Sequence, residues 1–448
     1  MRTSLPVQSP GRSWRFTPFV PVDNAPSTVR ILRRDLLPNL ARLQEGPRAA
    51  ANRTRAVMSA EALQHVEHLS VTIGPRGSCT ASERQASEYC RQVLRHLGYE
   101  AHREEFRAHR SGWAPFSIAS GLVLLGIAAF WLLPRDAGAL LAATVTVLVT
   151  ASLLLHLSFR PNPLTWIVPT GVSQNVYARA RPAAEVRRTV VVTGHVDTHR
   201  TPIAMYSPLV FRLFVGLTTV AVVAMIALCL LFVLAVLRPD PVWRTLTLPL
   251  GLVALLAFLV TLQPEFTPFV PGANDNASGA AAVLALAARL RAQPLRHTEV
   301  WLVNSGAEEV GATGPVQLLR RHPELRQADW IVLDTIAGPG AGPCMITAEQ
   351  VLLPLWADPK LLELAREVAA GRPDLGTYEH YYRGLFSEHS PLVAAGCRSL
   401  AILDFTPQGV LPNWHRPSDT FANIDPQVLD RTEEFAWGLL QAIDRRAS

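Results

Sequence analysis

Four long apolar stretches stand out against an otherwise mixed sequence. None of them contains an aspartate, glutamate, lysine or arginine, and they cover residues 116–133, 137–157, 213–237 and 245–262. A helix that crosses a bilayer needs about 20 consecutive apolar residues, with about 17–25 tolerated. The stretches form two pairs, each joined by a short connection that contains proline and charge. The pattern therefore predicts two transmembrane helical hairpins, at residues 116–157 and 207–262.

The even number of crossings has a consequence for the rest of the chain. It returns the chain to the side that it left, so residues 1–115, 158–206 and 263–448 are expected to share one compartment. A functional site can then be assembled from all three pieces. Arginines near the membrane are more numerous on this side than in the connections on the other side, so the positive-inside rule favours a cytoplasmic location for it.

Outside these stretches, short apolar runs rich in β-branched residues alternate with amphipathic helices. Runs typical of buried parallel strands are residues 189–193, 299–304 and 330–333. Thr80 and Glu83 have the spacing of a capping box, and the apolar face that follows ends before Gly98, so a helix is expected there. The alternation predicts an α/β domain over residues 58–446, with a mainly parallel mixed sheet flanked by helices.

The N-terminal residues 1–57 show no sustained periodicity and are rich in proline and arginine, so we expect a disordered tail. No apolar segment follows the first arginines, which argues against a cleavable signal peptide. The formal charge is +6, but the chain shows no known nucleic-acid-binding module, and we expect no nucleic-acid partner. The five cysteines lack CxxC spacing and so predict neither a cysteine zinc site nor a disulfide framework.

Potential metal ligands follow all three of these predicted strands. In chain order they are His195 and Asp197, then Glu308 and Glu309, then Asp334. An isolated His-x-Asp pair is more often part of a surface loop than of a site. The repetition changes this interpretation, because ligands of open α/β sheets bind just beyond the carboxyl ends of the strands. We therefore expect these side chains to face one site.

Two further groups extend this set. Asp275 lies at the entrance of an alanine-rich helix, and His415 lies in a loop near the end of the chain. Imidazole and carboxylate donors suit zinc and other borderline or hard cations. Two histidines and five carboxylates are more than one metal ion needs.

The arrangement of these motifs resembles that of a known family. The motifs are Gly-His-Val-Asp at 194–197, Gly-Ala-Asn-Asp-Asn-Ala-Ser-Gly at 272–279, the tandem Glu308-Glu309, Asp334 and His415. Together they resemble the M28 family of co-catalytic dizinc aminopeptidases and carboxypeptidases. Residues 73–76 and 174–179 are also similar to that family, so the resemblance covers most of 58–446 apart from the two hairpins. It implies a three-layer zinc-exopeptidase fold, which the hairpins interrupt here.

The resemblance also implies a role for each residue. The implied ligands are His195 and Asp334 on one zinc ion, Glu309 and His415 on the other, and Asp275 as the carboxylate that bridges the two. Asp197 is then the acid that orients His195 through its second ring nitrogen. Glu308 is the general base, which takes a proton from a metal-bridging water and returns it to the leaving amine. A cis peptide bond between Asp275 and Asn276 is implied as well.

Two stretches are less clear. The family often has Ser-Asp-His before its last strand, whereas residues 386–390 here read Phe-Ser-Glu-His-Ser, so we expect a changed pocket wall. His380, Tyr381 and Tyr382 could line a substrate pocket or stabilise an oxyanion, although an aromatic-rich turn is more often packing.

The resemblance thus implies a membrane-bound zinc exopeptidase with two zinc ions per chain, most simply an aminopeptidase acting on peptides or aminoacyl amides. A glutaminyl-cyclase-like acyl transferase on the same fold would use one zinc ion. A non-catalytic receptor or scaffold usually loses ligands, and all five are retained here. A transporter is disfavoured because the apolar stretches contain almost no ionisable group beyond His156.

Overall fold

The computed structural model describes residues 61–447, which fall in one compact unit. The predicted tail at 1–57 lies outside this range. The strands are β1 (His102–His109), β2 (Thr170–Ala180), β3 (Arg188–His195), β4 (Thr298–Ser305), β5 (Asp329–Asp334), β6 (Cys344–Gln350), β7 (Pro354–Trp356), β8 (Tyr378–Arg383) and β9 (Arg398–Leu403).

The α-helices of the same range alternate with these strands. They are α1 (Ala81–His96), α2 (Ala114–Leu132), α3 (Arg135–Leu157), α4 (Pro208–Leu237), α5 (Val242–Leu262), α6 (Gly279–Ala292), α7 (Thr313–Arg321), α8 (Pro359–Gly371), α9 (His389–Ala394) and α10 (Pro426–Ala447). Short 3₁₀ or π turns cover His68–Ile73, Pro163–Trp166, Ile203–Met205, Gln263–Phe266, Ala273–Ser278, Pro323–Gln327, Pro373–Leu375 and Phe421–Asn423.

The described strands form one mixed sheet. Its order is β1-β2-β4-β3-β5-β9-β6-β7, and β8 pairs with β6. The central strands β4, β3, β5 and β9 are parallel, whereas β1, β2 and β7 add antiparallel pairs at the two sides. The central strands are buried along almost their whole length, which explains their continuous apolar runs.

Helices cover both faces of the sheet and produce three layers. One apolar core lies between the sheet and helices α1, α6, α8 and α10. A second core on the opposite face includes residues of α7 and α9. The predicted three-layer α/β fold is thus confirmed, and the helix α1 begins where expected, with the Thr80 hydroxyl accepting a hydrogen bond from the Glu83 amide.

The four apolar stretches form helices that pack into a bundle. Helix α2 packs on α3 and α5, and helix α4 packs on α3 and α5, around a core of buried apolar side chains. All four are long and apolar enough to cross a membrane, over Ala114–Leu132, Arg135–Leu157, Pro208–Leu237 and Val242–Phe266. The outer surface of the bundle is also apolar, and Leu148, Val223, Leu230 and Leu252 are among its exposed residues.

The segments that join the second helical hairpin, α4 and α5, to the α/β part are paired with each other. Arg200 and Phe269 form an isolated antiparallel bridge, and the Thr201 amide donates to the carbonyl of Pro268 over 3.1 Å. The Val270 amide donates in turn to the carbonyl of His199 over 2.9 Å. The two ends of this long insertion therefore lie side by side, as the ends of tolerated insertions generally do.

Candidate metal centre

The carboxyl ends of three parallel strands meet at the site. His195 ends β3 and pairs with Ser305, the last residue of β4, whereas Asp334 ends β5. Glu308 and Glu309 follow β4 in the next loop. The structure brings together the side chains predicted at three separate strand ends, as expected for the edge where parallel strands stop.

Two glycines bring the loop of Asp275 against these strand ends. A Cβ atom on Gly194 would lie 2.6 Å from the main-chain carbon of Gly279, and one on Gly279 would lie 2.2 Å from the carbonyl oxygen of Leu333. Only glycine permits this approach at both positions. The peptide bond between Asp275 and Asn276 is cis, as the resemblance implies.

The carboxylate of Asp275 lies between two histidines. Its Oδ1 is 3.4 Å from Nε2 of His195, and its Oδ2 is 3.0 Å from Nε2 of His415. Asp334 Oδ1 lies 3.6 Å from the first imidazole nitrogen, and Glu309 Oε2 lies 3.3 Å from the second. The five side chains thus form two groups, each with one histidine and one carboxylate, that share Asp275.

These spacings fit zinc. Tetrahedral zinc with bonds of about 2.0–2.2 Å to nitrogen and oxygen separates neighbouring ligand atoms by about 3.3–3.6 Å. Among the described residues, His195 Nε2, Asp275 Oδ2, Glu309 Oε1 and Asp334 Oδ1 are buried and have no hydrogen-bond partner. Buried polar atoms rarely stay without a partner. The donor set therefore fits metal ions held between the side chains.

Buried negative charge supports the same interpretation. Burial raises the pKa of Glu308 well above its usual range, and burial together with the charge of Asp275 raises the pKa of Glu309 to about 8. Burial also raises the pKa of Asp334. The protein alone thus disfavours the ionised form of these three carboxylates, whereas the two histidines lower the pKa of Asp275, and a bound dication favours the ionised form of all four.

Asp197 has more partners than the resemblance implies. The Nδ1 atom of His195 lies 3.1 Å from the main-chain carbonyl oxygen of Asp197 and 3.5 Å from its carboxylate. The carboxylate also accepts hydrogen bonds from the amides of Glu308 and Glu309, each over 3.1 Å, and from the hydroxyl of Ser78 over 2.6 Å. Both the main chain and the carboxylate of Asp197 face His195, and the carboxylate in addition positions both glutamates.

Asp419, for which no local pattern was found in the sequence, holds the loop of Asp275. Its carboxylate accepts hydrogen bonds from the amides of Asn274 over 2.7 Å and Asp275 over 3.0 Å. Burial, with the charge of Asp275, raises the pKa of Asp419 to about 7. Its position after the loop of His415 in the chain is the only hint that the sequence offers.

Arg76 is fully buried beside the same loop. Its guanidinium donates to the main-chain carbonyls of Leu69, Gly74, Val196, Pro271 and Gly272 over 2.7–2.9 Å. Burial lowers the pKa of Arg76 to about 10, so the group stays charged at neutral pH. One side chain therefore joins the loop before α1, the loop after β3 and the loop of Asp275.

The ring of His415 is held between two aromatic rings. His199 stacks on it with ring centroids 3.6 Å apart, and Trp414 stacks on it at 4.0 Å. His199 receives a hydrogen bond from the indole of Trp113 over 3.1 Å, and its Nδ1 lies 2.7 Å from the carbonyl oxygen of Arg200. Because both ring nitrogens have partners, His199 supports His415 and is not needed as a ligand.

Glu388, from the stretch that departs from the family's pattern, and the aromatic residues 380–382 have different partners. Glu388 is buried and accepts hydrogen bonds from the hydroxyls of Ser305 and Thr193. Tyr382 is also buried, and burial together with nearby carboxylates raises its pKa well above its usual range. Tyr381 donates to Gln350, and His380 packs on Phe405.

Comparison with known protein families agrees with this geometry. The model of peptidase family M28 matches residues 260–440, a range that includes Asp275, both glutamates, Asp334 and His415. This part of the chain belongs to peptidase family M28. The predicted family is thereby confirmed, and the M28 assignment makes the chain a zinc-dependent hydrolase. No curated protein matches the sequence significantly.

Solved structures share the M28 fold. The zinc aminopeptidase BSAP from Bacillus subtilis is 14% identical, with a TM-score of 0.51, over 85% of this chain and 94% of that one. An aminopeptidase from Aneurinibacillus sp. strain AM-1 is 16% identical, with a TM-score of 0.51, over 86% and 94%. The glutaminyl cyclase of Porphyromonas gingivalis is 16% identical, with a TM-score of 0.50, over 87% and 98%.

The hydrogen bonds of Arg76 lead to a first prediction. In Arg76→Lys the charge remains, but a single nitrogen cannot reach five carbonyls, and each buried carbonyl left unpaired costs about 1–3 kcal/mol. We expect the thermal unfolding midpoint of the purified protein to fall by at least about 5 °C and zinc binding, measured by titration calorimetry, to weaken. Arg366→Lys, which alters an exposed ion pair with Glu379, is the control. Equal midpoints in the two variants would contradict the role of Arg76.

Proposed function

We propose that this chain is a membrane-bound aminopeptidase with two zinc ions. The observation that carries the proposal is the carboxylate of Asp275, whose two oxygens each face a different histidine. One ion would be held by His195, Asp334 and Asp275, and the other by His415, Glu309 and Asp275. When bound, the ions would polarise the scissile carbonyl and make water more acidic.

Glu308 is proposed as the general base. Its carboxylate lies 3.8 Å from Nε2 of His195, and it belongs to neither of the two ligand groups. Its main-chain amide is fixed by Asp197. A carboxylate held there can accept the proton of the attacking water and return it to the leaving amine, which completes hydrolysis of the peptide bond.

The comparison with solved structures supports action on amino termini. Two of the structures that share the fold are aminopeptidases. In the proposed dizinc state the charge of the two ions would offset that of Asp275, Glu308, Glu309 and Asp334, so the choice of the amino terminus rests on this comparison.

The apolar bundle supports location in a membrane. Its helices expose large aliphatic side chains such as Leu148 and Leu230 on their outer surface, and an exposed apolar surface of this extent is costly in water. We propose that the four helices cross the bilayer and that the metal centre faces the cytoplasm, as the arginine distribution favours.

The second candidate is cyclisation of amino-terminal glutamine, since a glutaminyl cyclase shares the fold. That reaction would need one zinc ion. Retention of Glu309 and His415 beside Asp275 favours two ions instead.

The neighbouring glutamates give a second prediction. Glu308→Gln keeps size and polarity but cannot accept a proton, so turnover should fall by about 10²–10⁴ while zinc stays bound. Glu309→Gln should instead lower zinc content, because a neutral amide is a poorer ligand than a carboxylate. Zinc content and hydrolysis of an aminoacyl-amide library are measured on the same preparations. Zinc loss in Glu308→Gln equal to that in Glu309→Gln would refute the separate roles.

Zinc stoichiometry is a third prediction. We expect two zinc ions per chain by elemental analysis, loss of peptidase activity after treatment with a chelator, and recovery when zinc is returned. One tightly bound ion, together with cyclisation of peptides that begin with glutamine, would favour the cyclase and contradict the peptidase.

Sidedness is a fourth prediction. The variants Asp136→Cys and Arg238→Cys place cysteines at the tips of the two hairpins, in the first turn of α3 and directly after α4. They should react with a membrane-impermeant thiol reagent in intact cells, whereas Val186→Cys, an exposed position between β2 and β3, should react only after permeabilisation. The reverse pattern would show that the centre faces outward.

A further inference from the structure

The bundle and the metal centre are joined at the same end of all four helices. Helix α2 begins directly after residues 110–113, and helix α5 is followed within about ten residues by the loop of Asp275. A cleft beside the centre is lined by Ser111, Gly112, Trp113, Arg200, Phe269 and Glu309. The cleft wall is therefore made partly of the residues at which the apolar helices start and end.

Three side chains in contact connect the start of α2 to the metal centre. Trp113 precedes the first residue of α2, its indole donates to His199, and His199 stacks on the proposed ligand His415. The rings of Phe211 and Phe214, in the first turns of α4, contact Trp414 and Trp113. Along this second route a single side chain, Trp414, separates the ligand His415 from Phe211 of α4.

Large apolar side chains are exposed around this junction. We name as junction residues Trp166 (80% exposed), Tyr206 (76%), Phe266 (80%) and Leu353 (71%). Trp166 and Phe266 end short turns that pack on the helices α3 and α5, and Tyr206 precedes α4. Leu353 lies in the turn after β6. The carbonyl of Gln350, which ends β6, accepts a hydrogen bond from the amide of Gly384, and Gly384 lies next to Val215 of α4.

The composition of the junction residues, which include a tryptophan and a tyrosine, fits the surface of a bilayer. Tryptophan and tyrosine are enriched where hydrocarbon meets the polar headgroups, because their rings are apolar and their N–H or O–H groups stay hydrated. Two of the junction residues, Trp166 and Phe266, lie in turns that pack directly on helices of the apolar bundle. The headgroup region should therefore reach the level of the cleft, so that a substrate approaches along the membrane surface.

We infer that the site acts on peptides that are themselves anchored in the same bilayer, with the free amino terminus at the metal centre and the anchor downstream. This inference rests on the proposed peptidase function and narrows its substrate class. Anchoring gives the peptide a high effective concentration at the cleft. An extended chain covers about 3.3–3.6 Å per residue, so a spacer of about four to six residues is enough to join the cleft to an anchor in the headgroup region.

The test compares matched substrates with the full chain reconstituted in zinc-supplemented phosphatidylcholine vesicles. One set of hexapeptides, with varied first residues, ends in an amide, and the other has the same sequences with a carboxy-terminal double-chain lipid in the same vesicles. We expect kcat/KM for the anchored set to be at least about tenfold higher. Equal efficiency would overturn the inference and leave the peptidase intact. Cleavage of neither set would overturn the proposed function, and the inference with it.

Variants test the junction itself. Trp166→Ser combined with Phe266→Ser should reduce the preference for the anchored set at least about threefold, with the rate on soluble peptides unchanged, because the cleft is no longer held at the headgroups. Leu237→Ser is the matched control, since Leu237 is 74% exposed but ends α4 at the opposite end of the bundle. The same preference in the double variant and the control would overturn the assignment of the junction.

Discussion

Buried negative charge is the constraint on which the metal centre depends. Several carboxylates lie within a few ångströms of two imidazoles, almost closed off from water. At such distances and low polarity they repel each other unless cations lie between them. The main chain around them is fixed by charged side chains: Asp197 and Asp419 accept from amides, whereas Arg76 donates to carbonyls. The positions of the proposed metal ligands and the charge around them therefore depend on the same few charged side chains.

Much of this arrangement could be predicted from the sequence. Apolar runs that stop at a histidine or an acid are local signals, and they placed His195, Glu309 and Asp334 at one edge of the sheet. The four apolar helices could also be predicted from local composition, because a long stretch without charged residues can be recognised whatever segments surround it. Assignment of roles, however, needed the resemblance to M28, because spacing alone does not say which carboxylate bridges two ions.

The supporting residues could not be found in this way, because their contacts are distant in sequence. Asp419 holds an amide that is 144 residues earlier in the chain, and Trp113 donates to a ring that is 86 residues later. Neither residue lies in a periodic pattern. The further partners of Asp197 were missed for the same reason, because the amides of Glu308 and Glu309 are 111 and 112 residues away from its carboxylate.

The base of the second hairpin closes the chain on itself. The ends of the insertion are tied together at Arg200 and Phe269 by hydrogen bonds that run across the direction of the chain. His195 lies just before this pairing and Asp275 just after it. The separation of these two ligand segments is therefore set at the base of the hairpin and does not depend on the length of the inserted helices.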